Sequence, residues 1–312
     1  MSYLYQIYGV VLASELKLSG PLTVSEKVAD IYVRLADVPE EPPKELELGA
    51  AFAAIGRTQF WLDVPHVARF FATDLATIDV QPYANSDAES IELFLLGSVL
   101  GPLLNMRKHL VMHGNVVHLH IDDQRFRTLI CGYSAAGKSS FAAHLIKHHK
   151  ARLVADDLAV FDEHGNVLPG SPRLKVWKDV ALALELDQSE LSAIRPQVEK
   201  YDWQLTGAFS AEPQPIDLIV ILNSDSDGDL KVNSINGANK LLPLQRQIFR
   251  KKFANLAGLE RLQFMLVAKH CGNVPVIQLA RPRSKEISNN LHEMSERLFN
   301  YLLGNHAEAV NE

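Results

Sequence analysis

Only two cysteines, Cys131 and Cys271, occur in the 312 residues. Two thiols cannot make the disulfide framework that holds small secreted domains together. Cys131 ends an apolar run and reads as a packed core thiol rather than a reactive one. Long basic runs are also missing, and the formal net charge is −6. Nucleic acid is therefore not the expected main partner. No long hydrophobic run occurs either. The longest apolar stretch, Ile91–Leu104, is broken by Glu92, Gly97, Ser98, Gly101 and Pro102. It is too short to cross a bilayer, so no membrane partner is expected. The first residues do not show a basic segment followed by an apolar one, which makes the cytoplasm the expected compartment. Internal repeats and low-complexity tracts are absent as well.

What is present is ordinary for a globular protein, with 47% hydrophobic and 22% charged residues, and the length allows two domains with an ample core. Residues 1–85 are rich in short runs that read as strands: Tyr3–Val11, Asp30–Leu35, Thr58–Val64, Val67–Thr73 and Ala76–Gln81. The stretch from Phe71 to Ile78 reads as a hairpin, and Val38–Lys44 reads as a loop. His66, Asp63 and Asp74 read as polar faces of strands. Ser86-Asp87-Ala88-Glu89 fits a capping box that starts a helix over Ser90–Met106. The expected division is a β-rich recognition or docking domain with a bridging helix over 1–104, and a second domain over 105–312.

From residue 109 strands and helices mix. The patterns predict strands at Leu110–His120, Arg125–Cys131, Arg152–Asp156, Leu158–Asp162, Ile216–Asn223 and Val274–Leu279. They predict helices at Lys138–His149, Leu241–Asn255, Leu259–His270 and Ser284–Leu303. The expected fold class is α/β of the α+β kind, a mixed sheet with helices packed on it. Asp187–Pro215 shows no clear period and reads as a long functional or mobile loop.

The chemistry concentrates in Gly132-Tyr133-Ser134-Ala135-Ala136-Gly137-Lys138-Ser139, which satisfies G-x-x-x-x-G-K-[ST] between an apolar strand and a helix. Such a loop wraps a polyphosphate with its own backbone N–H groups. Gly132 and Gly137 remove side chains from that approach, and the helix dipole favours the anion. Lys138 supplies a positive charge for the outer phosphates, and the Ser139 hydroxyl can ligate Mg²⁺. The nucleotide-binding set is read as Gly132, Ser134, Ala135, Ala136, Gly137, Lys138, Ser139 and Ser140. Arg281, at a strand end beside Arg283, is read as a further phosphate contact. A second clue is Asp156-Asp157 at the end of an apolar run. Beside a phosphate loop, one carboxylate can hold metal and the other can accept a proton. His144, His148 and His149 share a helix, yet no nearby Cys or acid completes a zinc site; they read as basic residues suited to a helix C-terminus.

Gly132–Ser139 followed by Leu153-Val154-Ala155-Asp156-Asp157 resembles the HPr serine kinase/phosphorylase family, whose fold is related to phosphoenolpyruvate carboxykinase. Val111–Val117 resembles that family's hydrophobic-His-Gly strand. Pro169–Trp177 and Arg195–Tyr201 resemble stretches of HPr kinase-like proteins from peptide-modification clusters, including lasso-peptide precursor kinases. The resemblance implies a P-loop kinase domain using ATP and Mg²⁺. It implies Lys138 and Ser139 at the phosphates and metal, and Asp156 as general base toward an acceptor serine. It further implies Asp157 as a metal or structural ligand, and His113 against the base. The expected partner is a peptide or protein acceptor, and the hexamers of HPr kinases put a homo-oligomer among the expectations. The downstream L-E-x-R-G-x-G signature of true HPr kinases is replaced here by Pro172-Arg173-Leu174-Lys175-Val176-Trp177, so phosphorolysis is not expected. Two other readings share the loop: a kinase for a small-molecule alcohol, and a non-catalytic nucleotide sensor.

Overall fold

The computed structural model describes residues 2–195, 198–225, 230–282 and 287–304. Over these residues the chain is a mixed α/β protein of two nine-stranded sheets, one three-stranded sheet and comparatively few helices.

Strands β1 (Tyr3–Ile7), β2 (Val10–Ser14), β3 (Leu22–Thr23), β4 (Ile31–Leu35), β5 (Glu47–Ala50), β6 (Ala53–Ile55), β7 (Phe60–Val64), β8 (Ala68–Ala72) and β9 (Thr77–Pro82) form the first sheet. Their order is β3-β1-β2-β4-β9-β8-β7-β6-β5. The expected single strand Tyr3–Val11 is in fact a hairpin. Tyr8 and Gly9 both take positive φ, 49° and 75°, as a tight two-residue turn requires. The β8–β9 hairpin lies where the sequence placed it. β5 and β6 escaped the sequence reading because they are short and weakly patterned.

Asp87, not Ser86, caps the following helix: its carboxylate accepts from the Ser90 N–H at 2.6 Å. The helix runs as α1 (Ala88–Leu93), a π-helical stretch (Phe94–Val99) and α2 (Leu100–Met106). By length and composition Ala88–Met106 could cross a membrane, but 72% of its apolar window is buried inside the protein, as in the core helix of a soluble fold. It packs between the two large sheets. One continuous apolar cluster joins Ile31, Phe60 and Phe70 of the first sheet, Leu95 and Leu103 of the helix, and Val111 and Val160 of the second sheet.

The second sheet is built on β10 (Leu110–Ile121) and β11 (Gln124–Gly132), joined by an Asp122-Asp123 turn with φ of 47° and 63°. Helix α3 (Lys138–His149) follows and matches the sequence reading residue for residue. β12 (Arg152–Ala155) and β13 (Leu158–Phe161) then pair with different stretches of β10. β14 (Asn166–Leu168) extends that edge. β15 (Arg173–Trp177), helix α4 (Lys178–Ala183), β16 (Leu191–Arg195) and β17 (Val198–Gln204) come next. The three strands form the small sheet in the order β15-β17-β16, so much of the segment read as a long loop lies in paired antiparallel strands.

β18 (Gln214–Pro215), β19 (Leu218–Asp225), β20 (Lys231–Ser234) and β21 (Val276–Pro282) complete the second sheet, in which β11, β19 and β21 run parallel. The expected helix Leu241–Asn255 is broken: Arg250 adopts φ 51° between α5 (Leu241–Gln245) and α6 (Lys251–Leu256). Helices α7 (Glu260–Cys271) and α8 (Ile287–Leu302) follow. A second apolar cluster holds α3 (Phe141, Leu145), the inner face of the small sheet (Leu174, Trp203) and α8 (Leu298) together.

Candidate functional site

The glycine-rich loop leaves the C-terminal end of β11, beside parallel β19, and enters α3 at Lys138. Crevices at the carboxyl ends of parallel strands are where open α/β sheets bind ligands. The loop's path needs positive φ at Gly132 (145°), Ala135 (64°) and Gly137 (96°). At Gly132 a Cβ would also lie 2.6 Å from the Leu222 carbonyl oxygen, so glycine is required there for two reasons.

The loop, Asp157, Trp177, Lys200 and Arg281 border a pocket of about 440 Å³. Of the expected nucleotide-binding set, Ser134, Ala135, Gly137, Lys138, Ser139 and Ser140 line it, and Arg281 closes one side. Arg283 lies outside the described residues. Two expected residues do not reach the pocket. The Gly132 N–H donates to Gln247 Oε1 at 3.1 Å, and the Ala136 N–H donates to the Tyr133 carbonyl at 3.1 Å. Both shape the loop rather than its ligand surface. The Lys138 ammonium donates to the Gly132 and Tyr133 carbonyls at 3.0 and 3.2 Å. Burial lowers its pKa from the ordinary lysine value, with Asp157 and Asp156 opposing.

The two aspartates differ sharply despite being neighbours. They form the bend between β12 and β13, where the chain steps from one stretch of β10 to another, and Asp157 takes φ 64°. Asp156 points inward. Its Oδ1 accepts from Asn115 Nδ2 at 2.6 Å and its Oδ2 from the Lys175 backbone N–H at 3.0 Å. Only 5% of its side chain is exposed, and it does not border the loop's pocket; it borders a separate cavity of about 30 Å³ with Ser171, Arg173 and Lys175. Asp157 does border the loop's pocket, with 32% of its side chain exposed and its Oδ2 2.8 Å from the Lys175 ammonium. Both Asp156 oxygens are thus engaged, by Asn115 and by the Lys175 backbone, and Asp157 is the carboxylate that faces the pocket.

Electrostatics separate the pair further. Burial, reinforced by the Asp157 charge, raises the Asp156 pKa to about 6. For Asp157 burial acts upward, but Lys175 and Lys200 outweigh it and hold the carboxyl below its ordinary range. Burial acts downward on Lys175, and Asp157 and Asp156 more than reverse it. His113 borders the pocket with its Nδ1 3.2 Å from the Asp157 carbonyl oxygen. Burial, then Lys138, lowers its pKa from 6.5, so the ring is neutral near pH 7. It supports the backbone of Asp157 rather than the Asp156 carboxylate.

Lys175, Lys200, Asn115 and Gln247 escaped the sequence reading of the site. Lys175 had a signal: Arg173, Lys175 and Trp177 alternate along a strand and so share one face. Asn115 had one too, two residues from His113 on β10. Nothing local marks Gln247, which reaches the loop from a distant helix end. Among the described residues no group of three or more His, Cys, Asp or Glu side chains is arranged to hold a metal. A cation in the pocket would be held mainly by ligand oxygens and water, with Ser139 as a protein donor, which is how Mg²⁺ is commonly bound. Compared with known proteins, the chain matches no protein-family model and no curated sequence.

Proposed function

We propose that the protein is an HPr kinase-like phosphotransferase that moves the γ-phosphoryl of ATP to a serine hydroxyl of a peptide or protein. The observation that carries this reading is the convergence of Lys138, Ser139, Arg281 and Asp157 on one pocket at the start of α3. Cations and helix-start amides face one carboxylate across a space of nucleotide-phosphate size.

In this reading the loop amides of Ser134, Ala135 and Gly137 to Ser140, together with Lys138 and Arg281, hold the phosphates and stabilise charge as it spreads over the transferring group. Mg²⁺, held by Ser139 and phosphate oxygens, would supply further charge neutralisation. Asp157 orients the acceptor hydroxyl and takes its proton as the new P–O bond forms and the bond to the ADP oxygen breaks. Its depressed pKa suits an orienting role in a loose transition state, where the proton leaves late. Asp156, Asn115 and His113 are positioning residues that fix the bend carrying Asp157.

The test is a set of three variants. Lys138→Ala should lower Mg·ATP affinity at least roughly tenfold while the protein stays folded. Asp157→Asn should keep nucleotide binding and lose about 10²–10⁴ in turnover, the usual worth of a positioned base. Asp156→Asn should keep turnover within roughly tenfold, since its amide oxygen can still accept from the Lys175 N–H and its NH2 group can donate to Asn115 Oδ1 once that amide flips. Normal ATP affinity in folded Lys138→Ala would remove the phosphate-loop reading. Normal turnover in Asp157→Asn with a dead Asp156→Asn would return the base role to Asp156.

A further inference from the structure

Three cationic side chains border the loop's pocket: Lys138, Arg281 and Lys200. Two of them are tied to the loop. Lys138 donates to the Gly132 and Tyr133 carbonyls, and Arg281 Nε donates to the Ala136 carbonyl at 3.4 Å. Lys200 comes from the small sheet instead. Among the described residues its ammonium makes no hydrogen bond and no ion pair, and it stands 5.4 Å from the centroid of the Trp177 ring. The carboxylates around it are engaged elsewhere. Asp157 is bound by Lys175 at 2.8 Å, Asp179 accepts from the Val180 N–H at 2.9 Å, and Glu199 pairs with Lys178 at 2.6 Å. An ammonium that borders a cavity, held over an aromatic face with no protein anion against it, is arranged for an anionic ligand.

Strand register fixes where along the pocket that anion lies. β15 and β17 pair antiparallel, with Trp177 opposite Lys200 and Lys175 opposite Asp202. Alternation puts these four side chains on one face, while Leu174, Val176 and Trp203 turn into the apolar cluster. Lys200 is therefore the diagonal neighbour of Lys175, roughly 7–8 Å away between backbones, and Lys175 touches Asp157. The Lys200 charge acts on groups at both sides of the pocket. Burial raises Asp157, but Lys175 and then Lys200 outweigh it. Burial lowers Lys138, and Lys200 adds to that effect. In the kinase reading Asp157 and Lys138 flank the transferring γ-phosphoryl, so Lys200 stands beside that group.

Resting on the kinase reading above, we propose that Lys200 is a further catalytic residue whose ammonium binds the oxygens of the γ-phosphoryl as it leaves ADP, with the Trp177 ring as the positioning residue that aims it. The acceptor oxygen forms its bond to phosphorus. The bond to the bridging oxygen breaks, its electron pair stays on ADP, and the acceptor proton passes to Asp157. Lys200 neither gives nor takes a proton. Negative charge on the oxygens around phosphorus is redistributed in this step, and a cation placed there stabilises the transition state without contributing to the binding of ADP.

The experiment uses the full chain and titration calorimetry with two probes: Mg·ADP, and Mg·ADP with aluminium fluoride, which stands in for the transferring phosphoryl and needs no acceptor. Lys200→Met keeps the stem against Trp177 and removes the charge, and Lys200→Arg keeps the charge. Expected is Mg·ADP affinity within about threefold of wild type in Lys200→Met, with the fluoride complex weakened at least roughly tenfold. Lys200→Arg should recover most of that loss. Trp177→Leu should weaken the fluoride complex by a smaller factor, and should add nothing once Lys200→Met is present. Equal losses for the two probes in Lys200→Met, or no loss in either, would overturn the catalytic role and leave the kinase reading intact. A loss of Mg·ADP affinity in Trp177→Leu would overturn the positioning role and make the ring a nucleotide contact. A wild type that binds Mg·ADP but gains nothing from aluminium fluoride would remove the role of Lys200 and favour the nucleotide sensor. A wild type that binds neither probe would remove the kinase reading together with this one.

Discussion

Lys175→Met tests whether one buried ammonium holds the two aspartates together. The ammonium stands 2.8 Å from Asp157 Oδ2 and 3.7 Å from Asp156 Oδ2, on a side chain only 16% exposed. At an effective dielectric of 20 these contacts are worth about 6 and about 4.5 kcal/mol before the ammonium's desolvation is subtracted. Methionine keeps the length and removes the charge, leaving two neighbouring carboxylates without the cation they share. Removing one partner of a buried ion pair costs about 3–5 kcal/mol; the partial solvent access of Asp157 puts the expectation near the lower end, about 3 kcal/mol.

The pH dependence carries a definite sign. In the wild type Asp157 titrates below its unfolded value of 3.8, so its contribution is present above that value and lost as pH falls below it. Without Lys175 its folded pKa rises above the unfolded one, and the folded variant takes up a proton that the unfolded chain does not. The stability deficit of the variant must therefore shrink between about pH 7 and about pH 5. Urea denaturation followed by tryptophan fluorescence at both pH values measures this. Adding Asp157→Asn to Lys175→Met should recover at least half of the loss, as a double-mutant cycle. A cost below about 1 kcal/mol at neutral pH, or a deficit that does not change with pH, would refute the buried-triad account.

Gly132→Ala should destabilise by about 1–3 kcal/mol from the φ of 145° alone and weaken nucleotide binding, because its Cβ displaces the Leu222 carbonyl. Gly207→Ala, where a Cβ meets nothing within 4 Å, should stay within about 0.5 kcal/mol, and equal effects at the two sites in urea denaturation would contradict the packing described. Asp156→Asn bears on stability as well as turnover. With a folded pKa raised to about 6 against 3.8 unfolded, the wild type loses stability from this group as pH rises through that window. The variant lacks that loss, so its stability relative to wild type should climb between about pH 4 and about pH 6 and level off above about pH 7; a flat difference across the window would show that Asp156 is not titrating there.

Some features follow from the sequence by itself. The loop and α3 were legible because glycine, lysine and serine spacing, an apolar strand before and a helical pattern after are all local, and local backbone geometry obeys local rules. The β8–β9 hairpin was legible for the same reason. The Tyr8-Gly9 turn hid inside an unbroken apolar run, and Arg250 broke a helix that the 3.6-residue pattern carried straight through.

The division of roles at the site belongs to the tertiary structure. Asp156 and Asp157 are chemically identical neighbours, and nothing in a sequence ranks them. Their difference arises because β12 and β13 pair with separate stretches of β10, which turns one carboxylate toward Asn115 and the other toward the pocket. Lys175 meets them through the register of β15, and Gln247 reaches the Gly132 amide across a separation of 115 residues. Hydrophobic patterning records which face of a strand is buried. It does not record which polar group from another strand will stand opposite, and at this site those long-range pairings set the charge and accessibility of every candidate residue.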